Sequence, residues 1–356
     1  MKNKNKARIV ILGGGNGTSR LLIALLPLLI KEEIASLHAI VHMSDDGGST
    51  GRLRDQYGVS AVGDLTKSLM ALSPMRGDLR GNEFLAALEY RFSEGDFQGH
   101  TVRNILLVAL EKTQPAAEAV DEGDAPIDRA LAVLARVLRV PKHAGVVPTT
   151  TTSLTEQAVI LFNGDSNLLG EGQHSISHRV NMQADPRWQP GDVKVRFAEG
   201  DVPLNKRAEK ILEQATHIIV APGHTYGTIL PTLALPDLQR VIKRTHAKLL
   251  TVMTLLTTPH QTAGWDGEDF VSVYESYLGR GMDVVIANKQ EATIEMVEGQ
   301  DWVRFKGRKV SYRLIEDNLV SGSLQTAQRG DVVPRAVVVH DSARLQKLIG
   351  NLLGLV

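Results

Sequence analysis

A chain of 356 residues, 43% apolar and 22% charged, can bury one large core or two ordinary ones and has the make-up of an average globular protein. Forty basic side chains balance forty acidic ones, so no long-range field draws nucleic acid or an anionic membrane surface, and any anion site must be local. With no cysteine there are no disulfides, thiolate zinc sites or cysteine nucleophile; with no apolar run of membrane-spanning length and no leader pattern, membrane insertion is not expected and a cytoplasmic protein is.

Arg8 to Leu12 is a short aliphatic run that ends abruptly in Gly13-Gly14-Gly15-Asn16-Gly17-Thr18, and Ser19 to Ile30 then carries apolar residues at helical spacing. A glycine loop between strand and helix leaves backbone N–H groups free over the helix N-terminus, where the macrodipole favours an anion such as phosphate. A second strand, His38 to Ser44, runs into Asp45-Asp46-Gly47-Gly48-Ser49-Thr50-Gly51-Arg52-Leu53-Arg54. Carboxylates, hydroxyls and guanidiniums thus crowd the carboxyl end of a buried strand, the edge at which open α/β sheets bind ligands.

A helix over Gly63 to Leu72 has Asp64 as its expected N-cap, with Lys67 near its first turn as either a ligand contact or a solvated lysine. Gly81 to Phe92 is amphipathic. A further helix opens near Gly99, with His100, Arg103 and Asn104 at i, i+3 and i+4 on one face; that polar triplet needs water, backbone or a ligand as partner, and capping is the plain alternative for His100. Pro115 to Asp124 reads as an acidic linker and Pro126 to Leu138 as a helix, so residues 64–140 form a helical block.

From Val146 to about residue 200 short β-branched runs indicate a small β-rich segment, with Val193 to Phe197 alternating as an edge strand does. His174 and His178 in it stand four apart, but no third ligand follows at a metal-site spacing. Strand and helix then alternate again: Asn205 to Ala215 helix, His217 to Val220 strand, the loop Pro222 to Thr228, Lys248 to Met253 strand, a polar loop over 254–265, Asp269 to Leu278 helix, Asp283 to Ala287 strand. A hairpin-like pair around Gly307-Arg308, a strand over Ala336 to Val339 and a helix from Ser342 capped by Asp341 finish the chain.

Such alternation builds a mainly parallel sheet with helices on both faces, and the loops 13–18, 45–54, 222–228 and 254–265 leave its strands at one edge. The first loop is neither Gly-x-Gly-x-x-Gly nor a Walker loop. A plain dinucleotide site uses Asp45 on a ribose but leaves the rest of that run without a role, and no hydride-transfer constellation supports redox chemistry. Asp45 and Asp46 together suit Mg2+ bridging to phosphate, with Arg52 and Arg54 as a forked clamp, unless the aspartates simply bond their own turn.

Gly13-Gly14-Gly15-Asn16-Gly17, the run from Asp45 to Arg54, Gly63-Asp64-Leu65, Gly99-His100-Thr101 with Asn104, and Pro222-Gly223-His224-Thr225-Tyr226 resemble the 2-phospho-L-lactate transferase and gluconeogenesis factor family (CofD/YvcK-like), in order from residue 8 to about 290. The Asp-Asp-Gly-Gly-Ser-Thr-Gly-Arg-Leu-Arg run points to its bacterial gluconeogenesis factor branch. The resemblance implies one Rossmann-like α/β domain over 1–356, with the helical insert at about 64–140 and the β-rich segment at about 146–200, and a homodimer. It also implies a nucleotide-sugar (UDP-sugar) binder linking carbon metabolism to cell shape and envelope synthesis, or alternatively a Mg2+-dependent phospholactyl-type transferase using a nucleotide diphosphate adduct. Carried onto this chain, Gly14, Gly15, Asn16, Gly17, Thr18, Asp45, Gly48, Ser49 and Arg52 are expected around the ligand, with Asp64, Lys67, His100, Asn104, Gly223, His224 and Thr225. Asp45, Asp46 and His100 are the expected catalytic groups, Asp45 and Asp46 the metal ligands. The chain departs from the family pattern at Thr66-Lys67, at Ala221-Pro222-Gly223-His224 and over Leu255 to Thr262, which puts the identity of the bound ligand in question.

Overall fold

Along β1 (Arg8–Gly13) the side chains alternate between two cores: Ile9 and Ile11 join one, Val10 and Leu12 the other. A strand buried on both faces belongs in a parallel sheet covered by helices on each side, which is why its sequence is unbroken aliphatic. The computed structural model describes residues 6–115, 125–152, 159–163, 167–171, 190–198, 200–259, 261–296, 298–322 and 338–355. Numbered along the chain, the other strands are β2 (Ser36–Val41), β3 (Ala144–Pro148), β4 (Val159–Asn163), β5 (Asn167–Glu171), β6 (Val193–Phe197), β7 (His217–Val220), β8 (Lys248–Val252), β9 (Val284–Asn288) and β10 (Arg313–Asp317). Seven strands form one sheet in the order β10-β9-β8-β7-β1-β2-β3, every neighbouring pair parallel. The winding direction reverses between β1 and β7, so this is a Rossmann-like sheet, and the general rule for such sheets puts the candidate ligand edge beyond the carboxyl ends of those two strands.

The first half of the chain supplies α1 (Gly15–Ile30), α2 (Gly48–Tyr57), α3 (Val62–Ala71), α4 (Leu79–Glu89), α5 (Val102–Lys112) and α6 (Pro126–Val137). The second supplies α7 (Lys206–Glu213), α8 (Leu230–Leu233), α9 (Pro236–Arg244), α10 (Gly267–Leu278) and α11 (Ser342–Leu352). Leu21, Leu65, Leu107, Leu131 and Leu345 bring α1, α3, α5, α6 and α11 onto one face, while Leu212, Leu230, Leu238 and Phe270 bring α7 to α10 onto the other. No helix among the described residues is long and apolar enough to cross a membrane.

Several boundaries move. The helical insert starts at α2, residue 48, not 64. β3 belongs to the main sheet beside β2, so the separate β-rich piece is the antiparallel sheet β5-β4-β6, where Val193, Val195 and Phe197 alternate inward as expected of an edge. The hairpin expected around Gly307 does not form. Glu268 on α10 accepts the backbone N–H groups of Lys306 and Arg308 at 3.0 Å, which wraps the segment around the helix start, and Arg313 onward pairs parallel with β9. Of the strand expected at Ala336 to Val339 only Val338 and Val339 are described, and they form no strand; an isolated bridge joins Val320 to the next residue, His340. His174, His178 and residues 116–124 of the linker lie outside the described residues.

His340 is 5% exposed and its Nε2 meets the Met253 carbonyl at the end of β8, 3.1 Å away. Burial lowers its pKa from 6.5 to about 4, the Met253 contact working against that and Arg20 with it. A depressed folded-state pKa means the unfolded chain takes the proton first, so its contribution is complete above pH 6.5 and is lost as the pH falls toward 4. That contribution is roughly 3 kcal/mol. His340→Gln keeps an N–H for Met253 without a titrating group, so urea denaturation at stepped pH should give a flatter stability curve over that window; an unchanged curve would show the acid loss arises elsewhere.

Candidate functional site

The glycine loop after β1 is tighter than its sequence suggests, because α1 already begins at Gly15 with Gly14 as its N-cap. The run after β2 is likewise a short turn followed by α2, with Gly47 as N-cap, so Ser49, Arg52 and Arg54 are helical residues and not loop residues. Both N-cap residues are glycines with no side chain to cap the helix; Asp64 accepts the Gly15 N–H from outside α1, and the other first-turn N–H groups of the two helices lie at the carboxyl edge of the sheet. Glycine is what lets the neighbouring segments close on one another. A Cβ on Gly14 would come within 2.5 Å of Asp64 Oδ2 and 2.6 Å of His42 Cδ2, and one on Gly17 would overlap the carbonyl oxygen of Pro222. The ends of β1, β2 and β7 and the start of α3 therefore meet at a single cleft.

Its floor carries two carboxylates. Asp45 accepts the Gly47 N–H at 3.1 Å and is bonded by Thr50. Burial, then the nearby Asp64, push its pKa up, against the pull of His42, the Gly47 N–H and Thr50. Asp64 was expected to cap its own helix; that helix starts at Val62 with Ala61 before it, and the Asp64 side chain turns to the cleft. There it meets His42 Nε2 at 3.2 Å and the Gly15 N–H. Burial alone would raise it, but the bond and charge of His42, the charge of Lys67 and the Gly15 N–H outweigh that and hold it below the usual carboxylate range. His42 is 2% exposed and its Nδ1 lies 3.0 Å from Ser44 Oγ, so the ring is locked from both sides. Asp46 is exposed, and the like charge acting on Asp45 is that of Asp64.

Lys67 bonds Asn16, placing a cation and an amide beside the start of α1. Gly15, Asn16, Gly17, Gly48, Lys67 and Gly223 all keep partial exposure, as a ligand surface requires. Thr18 does not: it is fully buried against Gly13, and its hydroxyl has no hydrogen-bond partner.

His100 precedes α5, whose N-cap residue is Thr101, so the expected single helical face breaks up. The grouping survives by another route: Ser49 Oγ is 2.9 Å from His100 Nδ1 and accepts from Asn104 Nδ2 at 3.1 Å. Arg103 then donates to Gly63 O at 2.8 Å and to Thr66 Oγ1 at 2.7 Å, tying α5 to α3. His100, Ser49 and Asn104 are 4%, 8% and 3% exposed, so they hold α2 in place from beneath the cleft. Burial first, then Arg52 and Arg91, lower the His100 pKa, leaving a neutral imidazole. The two arginines read as a phosphate clamp are engaged elsewhere. Arg54 is buried and donates to the carbonyls of Met43 at 2.9 Å and Asp45 at 2.7 Å; exposed Arg52 donates to Gln98 O at 2.5 Å.

On the β7 side, His224 is exposed, and its carbonyl accepts the N–H groups of Thr228 and Ile229. Thr225 is 2% exposed and bonds Tyr274 instead of facing the cleft. The 254–265 loop is held by residues 301–303: Thr257 N–H donates to Asp301 O at 2.8 Å and Val303 N–H to Leu255 O at 3.0 Å. Sequence reasoning missed His42. A histidine near an apolar strand end was the available signal, but its partner Asp64 is remote in the chain.

The family described as 2-phospho-L-lactate transferase CofD matches residues 9–320, most of the chain and every element of the cleft. The chain belongs to this family. Curated relatives of this CofD-family chain include a putative gluconeogenesis factor of Thermotoga maritima, 27% identical over 96% of this chain and 98% of the relative. The gluconeogenesis factor of Listeria monocytogenes is 30% identical over 85% of this chain and 83% of its own, and that of Bacillus subtilis 27% over 98% of both. A crystal structure of a UPF0052 family member from Bacillus halodurans superposes with a TM-score of 0.74 at 23% identity, covering 98% of this chain and 99% of that one, and so shares the fold.

Proposed function

We propose that the cleft binds a nucleotide diphosphate compound, a UDP-sugar above others, and that the chain serves carbon metabolism as a cytoplasmic regulator. The carrying observation is the meeting of two helix N-termini without side-chain caps beside Lys67, Asn16 and the carboxylates of Asp45 and Asp64. Phosphate oxygens would take the free N–H groups and the lysine charge, but two carboxylates would repel them unless a cation lies between. Among the described residues no three His, Cys, Asp or Glu side chains are grouped to hold a metal alone. A Mg2+ ion would therefore draw on Asp45, Asp64 and phosphate oxygens, the mixed oxygen set it favours. The relatives' name, gluconeogenesis factor, supports the metabolic setting. In this reading the protein works as a homodimer and ties carbon supply to cell shape and envelope synthesis.

Titration calorimetry with UDP-sugars, with and without Mg2+, tests the reading. Saturable binding that Mg2+ strengthens, and that falls about tenfold or more in Asp64→Asn, is expected; no heat with any uridine nucleotide would retire it. A second reading, transfer of a substituted phosphoryl group, is favoured by the paired carboxylates and by the family's description. There Mg2+ would supply charge neutralisation on the transferred group, while Asp45 and Asp64 hold it and the helix N–H groups orient the diphosphate. Turnover of a nucleotide diphosphate adduct that vanishes in Asp45→Asn while the nucleotide still binds would decide for transfer.

A further inference from the structure

At the opposite, amino edge of the sheet the structure holds a cavity of about 820 Å3, and none of its lining residues belongs to the cleft. The starts of β1, β7 and β8 form one wall through Arg8, Thr216, His217 and Lys248; the ends of α7, α9 and α11 form the others. Its size lies in the range of small-molecule sites. β1 alone, six residues long, separates it from the cleft by roughly 17 to 20 Å of strand.

Two features of the lining define what fits. The first is apolar surface from Leu352, Leu353 and Leu355, half-buried against the core in the cavity wall beside the buried Ala215 and Val241. Carbon of this kind facing an open cavity is wasted unless an apolar body covers it. The second is charge: Lys6, Arg8, Arg240, Arg244 and Lys248 face Glu33, Glu209 and Glu213, a surplus of two positive charges in a chain whose overall count is zero. Arg240 is paired with Asp237 and Arg8 donates to Gln214 O. Arg244 and Lys248 make no ion pair among the described residues, and His217 beside them stays neutral because burial, then the charge of Lys248, lower its pKa. The two cations without an ion pair, Arg244 and Lys248, suit a single anionic group, and three helix C-termini at the rim, each adding roughly half a negative charge, disfavour a polyphosphate.

We infer that this cavity is a second ligand site, built for an amphipathic monoanion: a carboxylate on an apolar body. Arg244 and Lys248 take the carboxylate, and Leu352, Leu353 and Leu355 take the hydrocarbon. The inference is independent of what the cleft binds.

Calorimetry of the full chain with sodium octanoate tests it, with 1-octanol as the tail without charge, acetate as the charge without tail and pyrophosphate as the polyanion. Octanoate should bind at one site per chain, about tenfold or more tighter than any of the three. The charge reversal Arg244→Glu with Lys248→Glu should abolish that binding, whereas Arg244→Lys with Lys248→Arg should retain it. Both residues are exposed, so thermal melting of these variants should match the parent, and Asp64→Asn in the cleft should leave octanoate binding unchanged. The site is overturned if octanoate gives no saturable heat, if the charge-reversed chain binds it equally well, or if octanol or pyrophosphate matches it.

Discussion

Gly17→Ala is expected to cost on the order of 3 kcal/mol of stability and to abolish ligand binding in the cleft. The added methyl would occupy the position of the Pro222 carbonyl oxygen, with Pro222 Cγ 2.9 Å away on the other side. Neither neighbour is the free end of a flexible side chain, so backbone has to yield: α1 must shift along its axis or the segment after β7 must peel off. Either movement opens the switch point between β1 and β7, where the helix N–H groups of α1 face the cleft. Urea denaturation and nucleotide calorimetry on the same preparation check it. A variant that melts like the parent and still binds would mean that the β1 and β7 loops do not need to touch.

Arg54→Met separates two roles that the sequence alone cannot. Were Arg54 a phosphate clamp, the change would weaken binding and leave stability alone. Its guanidinium instead satisfies the carbonyls of Met43 and Asp45 from a buried position in α2, so the loss is expected to appear first as stability, about 2 to 4 kcal/mol for two acceptors left without a donor. Methionine preserves most of the side chain's length, which limits the packing penalty. Binding should then fall as well, because those carbonyls belong to the turn that presents Asp45. A lower urea midpoint with an unchanged slope, together with weakened nucleotide binding, is the expected pair of results; weakened binding at full stability would restore the clamp.

The candidate site was legible to the extent that its chemistry is local. The glycine loop after β1 and the acid and glycine run after β2 announce an anion-friendly edge within a few residues, because strand end, turn residue and helix start follow one another in the chain. Roles of single residues were less legible. Asp46 and Asp45 are neighbours in sequence, but the carboxylate whose charge acts on Asp45 comes from Asp64 at the start of α3. His42 and Asp64 stand 22 positions apart, and Ser49 and His100 stand 51 apart; no spacing rule covers such pairs. Thr18 and Thr225 carry ligand-like hydroxyls and are buried all the same, because burial depends on what packs over them.

What the amino-acid sequence by itself determined was the kind of fold and the edge of it that matters: aliphatic runs with helical spacings between them dictate a two-sided parallel sheet, and glycines at the strand ends dictate where backbone N–H groups stay free. Only the tertiary structure decided which side chains share that edge. Strand order, with β7 laid against β1 some two hundred residues away, brings Pro222 onto Gly17, and the insert folds back to set Asp64 beside Asp45 and His100 beneath Ser49. Local sequence governs backbone conformation through sterics and hydrogen bonding over a few residues, whereas these meetings depend on how whole layers bury their apolar faces together.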